Sequence, residues 1–257
     1  MASKPVVLVT RPESQAADLC AALSAAGYRV RSQPLLQLQA LPELSPAQRE
    51  QVMNLDRYQH IIFISGNAVR FGMALIEDYW SRPPTGPTWY AIGAATARLL
   101  EQHGVPALAP RDGMTSEALL ALPQLGDVAG HRVLLIKGEG GRETLREELG
   151  RRGARVDELA CYRRCCPALA PGELADKLAR WKIGLIMVSS GEGLANMLAL
   201  LSPRETSKFK TIALLVPSER VAQMAAADGF VRVVTAENAS DGAMVRALEA
   251  WQTSAGE

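Results

Sequence analysis

An internal repeat constrains the fold of this 257-residue chain more than any other feature. A shift of 126 positions places Gly27 on Gly153, and the same shift places Leu19 on Leu145. In both stretches a short apolar run leads through a turn into a helical pattern of leucines. The glycine then ends the helix, as a left-handed cap would. The sequence therefore predicts that one strand–turn–helix unit occurs twice.

The rest of the chain repeats at a similar offset. Ser65 falls on Ser190 and Gly104 falls on Gly229 after a shift of 125 positions. Apolar runs of strand length alternate with helical patterns throughout, which predicts parallel sheets covered by helices on both faces. The expected fold class is α/β, with two flavodoxin-like or Rossmann-like domains, each with a parallel sheet.

Composition argues against several classes of protein. The chain is 48% hydrophobic and 21% charged, and its formal net charge is +1. This balance gives no support to a general nucleic-acid or membrane-surface binder. No apolar run of about 18 residues is present, so no membrane span is expected. The N-terminus lacks the core and cleavage site of a secretory signal, so a cytoplasmic location is expected.

The cysteines and histidines do not form a recognisable site. Cys161, Cys165 and Cys166 lack C-x-x-C spacing and nearby histidines, so neither a disulfide framework nor a metal site is predicted. Cys20 lies on the apolar face of the first predicted helix and is expected in the core. The segment after Lys137 lacks the third glycine of a dinucleotide fingerprint, and the chain has no phosphate-binding loop motif. No cofactor is expected.

Polar residues follow the predicted strands at the edge where open α/β sheets bind ligands. Helix N-termini there supply free N–H groups and partial positive charge, which suits a ligand with several carboxylates or phosphates. Taken singly, a serine or threonine at a helix start is most often an N-cap. The recurrence of such residues at equivalent positions in both copies of the repeat favours a binding role. The candidates are Arg11, Ser65, Gly66, Asn67, Thr96, Ser116, Lys137, Arg142, Ser189, Ser190, Gly191, Ser218 and Ser240.

Tyr162 is the candidate for acid–base chemistry, because the three histidines are far apart in sequence. It lies in the hinge-like connection between the repeats, beside Arg163 and Arg164. From its position alone, a structural role for Tyr162 as a half-buried aromatic residue of the linker is slightly favoured over a catalytic one.

Together these residues resemble the uroporphyrinogen-III synthase family over nearly the whole chain. Each motif that carries the resemblance is moderately specific by itself, and the order and spacing of the motifs together are more specific. This sequence departs from the family in having Lys137 where arginine is common, and Ile64-Ser65-Gly66 in place of the usual Thr-Ser; both changes keep the donors. The motifs are Thr10-Arg11-Pro12 with Gln15, Phe63-Ile-Ser65-Gly-Asn67-Ala-Val69, Ile92-Gly93-Ala-Ala-Thr96, Lys137-Gly-x-Gly-Gly-Arg142-x-x-Leu145, Tyr162-Arg163 and Val188-Ser-Ser190-Gly191.

The resemblance implies two α/β domains joined by two extended linkers, with the active site in the cleft between them. It also implies an exchanged assignment, in which residues 1–35 and 167–257 form one domain and residues 38–160 the other. Residues 33–39 and 159–166 are then the linkers, and Tyr162 faces the cleft.

The implied reaction closes the linear tetrapyrrole hydroxymethylbilane to uroporphyrinogen III, inverting ring D through a spiro intermediate with loss of water. It needs no metal and no redox step. By resemblance Tyr162 is the general acid, because a phenol with a reference pKa of about 10 stays protonated. Arg11, Lys137 and Arg142 would bind carboxylates, and Ser65, Thr96 and Ser190 would donate hydrogen bonds. The enzyme is expected to be a monomer that receives its substrate from hydroxymethylbilane synthase.

Two alternatives stay open on the residues alone. One is a non-enzymatic two-domain protein whose cleft closes on an anionic small molecule. The other is a nucleotide-dependent α/β enzyme, which the missing glycine fingerprints disfavour.

Overall fold

The computed structural model describes residues 4–111, 113–141 and 143–254. The strands, in chain order, are β1 (Val6–Val9), β2 (Arg29–Ser32), β3 (Gln37–Ala40), β4 (His60–Phe63), β5 (Thr88–Ala91), β6 (Arg132–Gly138), β7 (Arg155–Cys165), β8 (Ile183–Met187), β9 (Ala213–Val216) and β10 (Val233–Thr235).

The helices lie between these strands, with single 3-10 turns at Glu13–Gln15, Leu55–Arg57 and Pro123–Leu125. They are α1 (Ala17–Ala25), α2 (Pro46–Met53), α3 (Gly66–Glu77), α4 (Ala94–Gln102), α5 (Ser116–Leu120), α6 (Thr144–Arg151), α7 (Glu173–Arg180), α8 (Gly191–Ala199), α9 (Pro203–Phe209), α10 (Glu219–Ala227) and α11 (Asp241–Ser254).

The chain divides into two compact units. Unit 1 is Met1–Gln37 with Cys165–Glu257, and unit 2 is Leu38–Arg164. The sheet of unit 1 has the order β10-β9-β8-β1-β2, and all of its neighbouring strands are parallel. Counted along the chain within the unit, this is the flavodoxin order 2-1-3-4-5. The order therefore reverses between β1 and β8, which makes their carboxyl ends the switch point of unit 1.

The sheet of unit 2 has the order β3-β7-β6-β4-β5. The strands β5, β4, β6 and β7 are parallel, and the order reverses between β4 and β6. The edge strand β3 runs the other way, because Leu41 donates to the Cys161 carbonyl while the earlier Gln39 accepts from the later Arg163. An antiparallel edge on a parallel sheet is common in such folds. These two mostly parallel sheets confirm the predicted α/β class.

The sheets are buried on both faces, as parallel sheets require. Along β1, Val7 and Val9 belong to one apolar cluster and Leu8 to another, because successive strand residues point to opposite faces. In β4, Ile62 and Phe63 divide in the same way between two clusters of unit 2. Helices cover each face and fix the strand ends that could carry a site.

The repeat predicted from the sequence is present in the structure. By the same offset, the strands β9-β8-β1-β2 of unit 1 correspond to β5-β4-β6-β7 of unit 2, in the same spatial order. The glycines expected to end helices have the left-handed conformation, with φ of 79° at Gly27, 73° at Gly104, 85° at Gly153 and 87° at Gly229. Each sheet therefore combines strands from both halves of the sequence.

The structure differs from the sequence prediction around the expected linkers. The stretch 161–164, expected as a hinge, is part of β7, which continues to Cys165. Residues 37–39 belong to the edge strand β3, so the second expected linker is almost entirely paired strand and the first is strand only in its last three residues. Both stretches are strands because they pair with each other, with β3 on the outer edge of β7. The helices α7 and α9 were not predicted.

Candidate active site

Arg11 lies just beyond the carboxyl end of β1, at the switch point of unit 1. Its Nε donates to Ser189 Oγ at 3.1 Å, and its terminal nitrogens donate to the Asp241 carboxylate and to the Ala239 carbonyl. Only 12% of the Arg11 side chain is exposed. The guanidinium therefore ties the ends of β1 and β8 to the start of α11, and Asp241 balances its charge.

Several candidate hydroxyls cap helices. Ser65 Oγ accepts the Ala68 N–H at 3.0 Å, and Ser190 Oγ accepts the Gly193 N–H at 3.0 Å. Ser240 accepts more weakly, from the Ala243 N–H at 3.4 Å. These caps satisfy N–H groups that a helix start leaves without partners, and they anchor α3, α8 and α11.

The remaining candidates at helix starts differ in their surroundings. Ser218 precedes α10, and its side chain makes no capping hydrogen bond. At α5 the cap is Thr115, so Ser116 is the first helical residue instead. Thr96 is 6% exposed on the inner face of α4. Asn67 lies in the first turn of α3 and has a polar or electrostatic interaction.

Two glycine candidates allow close approach at helix N-termini. A methyl group on Gly66 would lie 3.0 Å from Leu99 Cδ1. One on Gly191 would lie 3.2 Å from Met224 Sδ and 3.3 Å from a terminal nitrogen of Arg220. The first turns of α3 and α8 are thus packed against α4 and α10 respectively.

Lys137 lies within β6, because the strand continues to Gly138 and the glycine-rich turn begins later than predicted. Its Nζ donates to Glu158 Oε1 at 2.7 Å, and 9% of its side chain is exposed. The ammonium is therefore neutralised by a carboxylate on the neighbouring strand. Arg142, the other cation predicted in this turn, lies outside the described residues.

Tyr162 lies opposite Gly138, where a bulge in the pairing of β6 and β7 shifts the register. It is 6% exposed and packs in an apolar cluster of unit 2. Its hydroxyl is 3.3 Å from Ser65 Oγ, and either oxygen can be the donor. Its ring stacks on Phe71 with centroids 5.2 Å apart. Tyr162 is thus a paired, buried strand residue, and its hydroxyl lies at the carboxyl ends of β4 and β6.

The structure brings some candidates together within each unit. Arg11 meets Ser189 in unit 1, and Ser65 meets Tyr162 in unit 2. Asp241 and Glu158, which neutralise the two cations, were not among the predicted site residues. Lys137 and Glu158 lie on the neighbouring strands β6 and β7, so a prediction that these strands pair could have found one of these ion pairs. No sequence signal connected Arg11 with Asp241, which lies 230 residues later.

Three further observations concern the cysteines, metal binding and the helices. Burial raises the pKa of the Cys161 thiol to about 12, which disfavours its reactive thiolate form. In residues 4–111, 113–141 and 143–254, His, Cys, Asp and Glu do not gather in threes as a metal site would need. Across the same ranges, no helix combines the length and the apolar character needed to cross a membrane.

Known proteins match this chain over most of its length. The family described as "Uroporphyrinogen-III synthase HemD" matches residues 17–246. Uroporphyrinogen-III synthase of Salmonella typhimurium is 35% identical over 246 residues, which are 95% of this chain and 99% of that protein. The Escherichia coli enzyme of the same name is 33% identical over 248 residues, with the same coverage.

A solved structure agrees in fold. Uroporphyrinogen-III synthetase from Helicobacter pylori superposes with a TM-score of 0.59 and covers 97% of this chain and 100% of its own, at 16% identity. At that identity the likeness shows the fold alone, and the sequence matches carry the assignment. This chain belongs to the uroporphyrinogen-III synthase family, and it is an enzyme of tetrapyrrole biosynthesis, a cyclising lyase.

Proposed function

We propose that this chain closes hydroxymethylbilane to uroporphyrinogen III with ring D inverted, and that Tyr162 is the general acid. The observation that carries the proposal is the location of the Tyr162 hydroxyl. It lies beside Ser65 at the carboxyl ends of β4 and β6, where the strand order of unit 2 reverses. Ligands of open α/β sheets bind at such points.

The proposed chemistry begins with departure of the substrate hydroxyl group. The Tyr162 O–H gives its proton to that oxygen, the carbon–oxygen bond breaks, and its electron pair leaves with water. The pyrrole nitrogen donates its lone pair, so an azafulvene cation and a phenolate form together. Ser65 can rotate its O–H towards the phenolate oxygen, and a hydrogen bond to the charged form stabilises it.

Ring closure follows without a change in oxidation state. The substituted carbon of ring D attacks the cationic carbon to give a spiro intermediate, which fragments and recloses with the ring turned over. The proton lost when the pyrrole regains aromaticity returns to the phenolate. The sum is loss of one water. Because closure without inversion is spontaneous, the protein must mainly hold one substrate conformation.

Each unit, taken by itself, has donors at its strand ends that would bind substrate carboxylates. The first turns of α3, α8 and α10 offer N–H groups and partial positive charge. The Ser218 hydroxyl is available to a ligand, since it is not used in capping. A substrate carboxylate would compete with Asp241 for Arg11 and with Glu158 for Lys137.

The finer expectations belong to the same proposal. They are a monomeric enzyme, a cytoplasmic location and direct hand-over of substrate from hydroxymethylbilane synthase. The non-enzymatic anion binder is not favoured, because the relatives at 33–35% identity are named as synthases.

The test is an isomer assay. Hydroxymethylbilane is generated in situ with and without this protein, and the oxidised porphyrin isomers are separated by chromatography. Predominantly isomer III with the protein, against isomer I without it, is the expected result. Isomer I alone from a folded sample would contradict the proposal. Tight substrate binding without a change of isomer would favour the anion binder.

A further inference from the structure

The ring of Tyr162 packs against the backbone of β6 at Gly138 and against the side chain of Phe71. A methyl group on Gly138 would lie 2.6 Å from Tyr162 Cζ and 2.8 Å from Cε2. On α3, the Phe71 ring is stacked on the tyrosine with an interplanar angle of 22° and a centroid distance of 5.2 Å. The ring therefore has a defined plane and little room to tilt.

Position 138 requires glycine because a side chain there would collide with the tyrosine ring. Its φ is not among the positive values found at other glycines of the chain, so an alanine would adopt the same backbone conformation. The register shift between Lys137 and Gly138 brings the tyrosine directly opposite the glycine. Any side chain at this position would displace the tyrosine ring.

The hydroxyl of Tyr162 depends on this packing for its position. Its contact with Ser65 Oγ is 3.3 Å, longer than the 2.7–2.8 Å typical of O–H···O hydrogen bonds, and Ser65 already caps α3. A single long hydrogen bond does not fix a phenol. The ring contacts with Gly138 and Phe71 determine where the hydroxyl lies.

We propose that Phe71 and Gly138 are positioning residues for the reaction, which hold the Tyr162 ring so that its hydroxyl stays at the strand ends beside Ser65. This inference rests on the proposed function of Tyr162. Neither residue needs to touch the substrate. Their effect on turnover is exerted through the tyrosine hydroxyl, and it disappears when that hydroxyl is absent.

The test combines Phe71→Leu and Gly138→Ala, each alone and each together with Tyr162→Phe. The matched controls are Leu75→Ala, one turn further along α3 against the same cluster, and Gly150→Ala, where an added methyl group meets nothing within 4 Å. Thermal unfolding identifies folded variants, and kcat and KM are measured separately. If Phe71→Leu does not fold, Gly138→Ala tests the positioning of the same ring through its other contact.

The expected result is a loss of kcat with little change of KM. Phe71→Leu should lower kcat about tenfold and Gly138→Ala by up to about a hundredfold, since small displacements of a reacting group cost this much. Leu75→Ala and Gly150→Ala should keep kcat near that of the wild type. In the Tyr162→Phe background, neither positioning variant should lower kcat further.

Three results are distinguishable. Tyr162→Phe with wild-type turnover would remove the proposed acid, and the positioning inference with it. A slow Tyr162→Phe whose kcat falls further by the full single-variant factors would overturn positioning and leave the acid in place. Equal loss of kcat in Leu75→Ala and Phe71→Leu would also overturn it, because general loosening of the cluster would then explain both.

Discussion

The two units share a strand order, and they differ in what lies at the switch point. In unit 1, Arg11 is engaged by Ser189 and Asp241 in a closed ionic network. In unit 2, the equivalent edge holds the Tyr162 phenol against Ser65. The same topology therefore carries an ion pair at both edges, and the edge of unit 2 holds a phenol in addition.

The difference begins with the lengths of β2 and β7. β2 ends at Ser32 as the edge strand of its sheet, and beyond it Gln33 and Leu35 still donate to the Val9 and Thr10 carbonyls on either side of Pro34. The equivalent position 126 residues later is Ala160, and there the strand continues to Cys165. The extra residues carry Tyr162 to the carboxyl end of β6, whereas its counterpart Leu36 lies outside the strands of unit 1.

The facing helices differ as well. Phe71 on α3 stacks on Tyr162, whereas its counterpart in unit 1 is Asn196 on α8. The Asn196 amide donates to the Leu35 carbonyl at 2.8 Å, so it binds the backbone where unit 2 packs an aromatic ring. The two units share the backbone arrangement of the repeat, and a few side chains determine which unit holds a phenol.

The largest expected effect is that of removing the phenol. Tyr162→Phe should lower kcat roughly 10²–10⁴-fold with the fold intact, the usual contribution of a general acid. The matched variant in unit 1 is Tyr28→Phe, another buried tyrosine, which should keep kcat near wild type. Initial rates under substrate saturation measure both. Equal loss in the two variants would contradict the assignment of the chemistry to unit 2.

The two capping serines should behave differently although both caps are equivalent. Ser65→Ala and Ser190→Ala should each lower the free energy of unfolding by about 1 kcal/mol, the usual value of an N-cap. Ser65→Ala should in addition lower kcat roughly tenfold, because one hydrogen bond to the phenol is lost. Ser190→Ala should change KM rather than kcat. Unfolding curves and steady-state kinetics give both quantities, and a similar kcat loss in both variants would remove the distinction.

The ion pairs at the two switch points should differ in stability. Glu158→Gln leaves the Lys137 ammonium, only 9% exposed, without a charged partner and should cost roughly 2–3 kcal/mol. Asp241→Asn should cost roughly 1–2 kcal/mol, because Arg11 keeps its bonds to Ser189 and Ala239. Chemical unfolding of both variants measures this, and a larger loss in Asp241→Asn would contradict the ranking.

The smallest expected effect is a loss of stability at acid pH, which comes from a histidine of unit 2. Burial, and then the neighbouring His131, lower the pKa of His60, whose ring nitrogens contact His131 and the Tyr90 hydroxyl at 3.0 Å. The folded state therefore resists protonating His60. Stability should fall as the pH drops below the ordinary histidine pKa of about 6.5, because the unfolded chain then binds more protons.

The His60→Gln variant should lose less stability than the wild type between about pH 7 and about pH 5. In unit 1 the equivalent residue is Leu185, so unit 1 has no such dependence at this position. His103→Gln, at an exposed surface position, is the matched control. An unchanged acid dependence in His60→Gln would contradict this account.

Local patterns predicted much of the frame. The glycine helix ends and the buried apolar strands depend on neighbouring residues, and both are present. The helix α9 could have been found in the same way, since Ser202-Pro203 and Glu205 form a capping box.

Long-range pairing limited the prediction of the site. The stretch containing Tyr162 reads as a polar connection, because Arg163 and Arg164 interrupt any apolar alternation. It is a strand because β3 and β6 pair with it from distant parts of the sequence. The partners of Arg11 and the stack on Phe71 likewise depend on tertiary packing, which spacing alone does not encode.

The most direct test of this account is the isomer ratio formed by the wild type and by Tyr162→Phe from identical amounts of hydroxymethylbilane. Enzymatic closure competes with spontaneous closure, so the ratio reports whether the phenol accelerates the inverting route. We predict mainly isomer III with the wild type and mainly isomer I with an equal concentration of Tyr162→Phe. Isomer III from both proteins in equal proportion would contradict the central claim that the phenol in unit 2 is the acid.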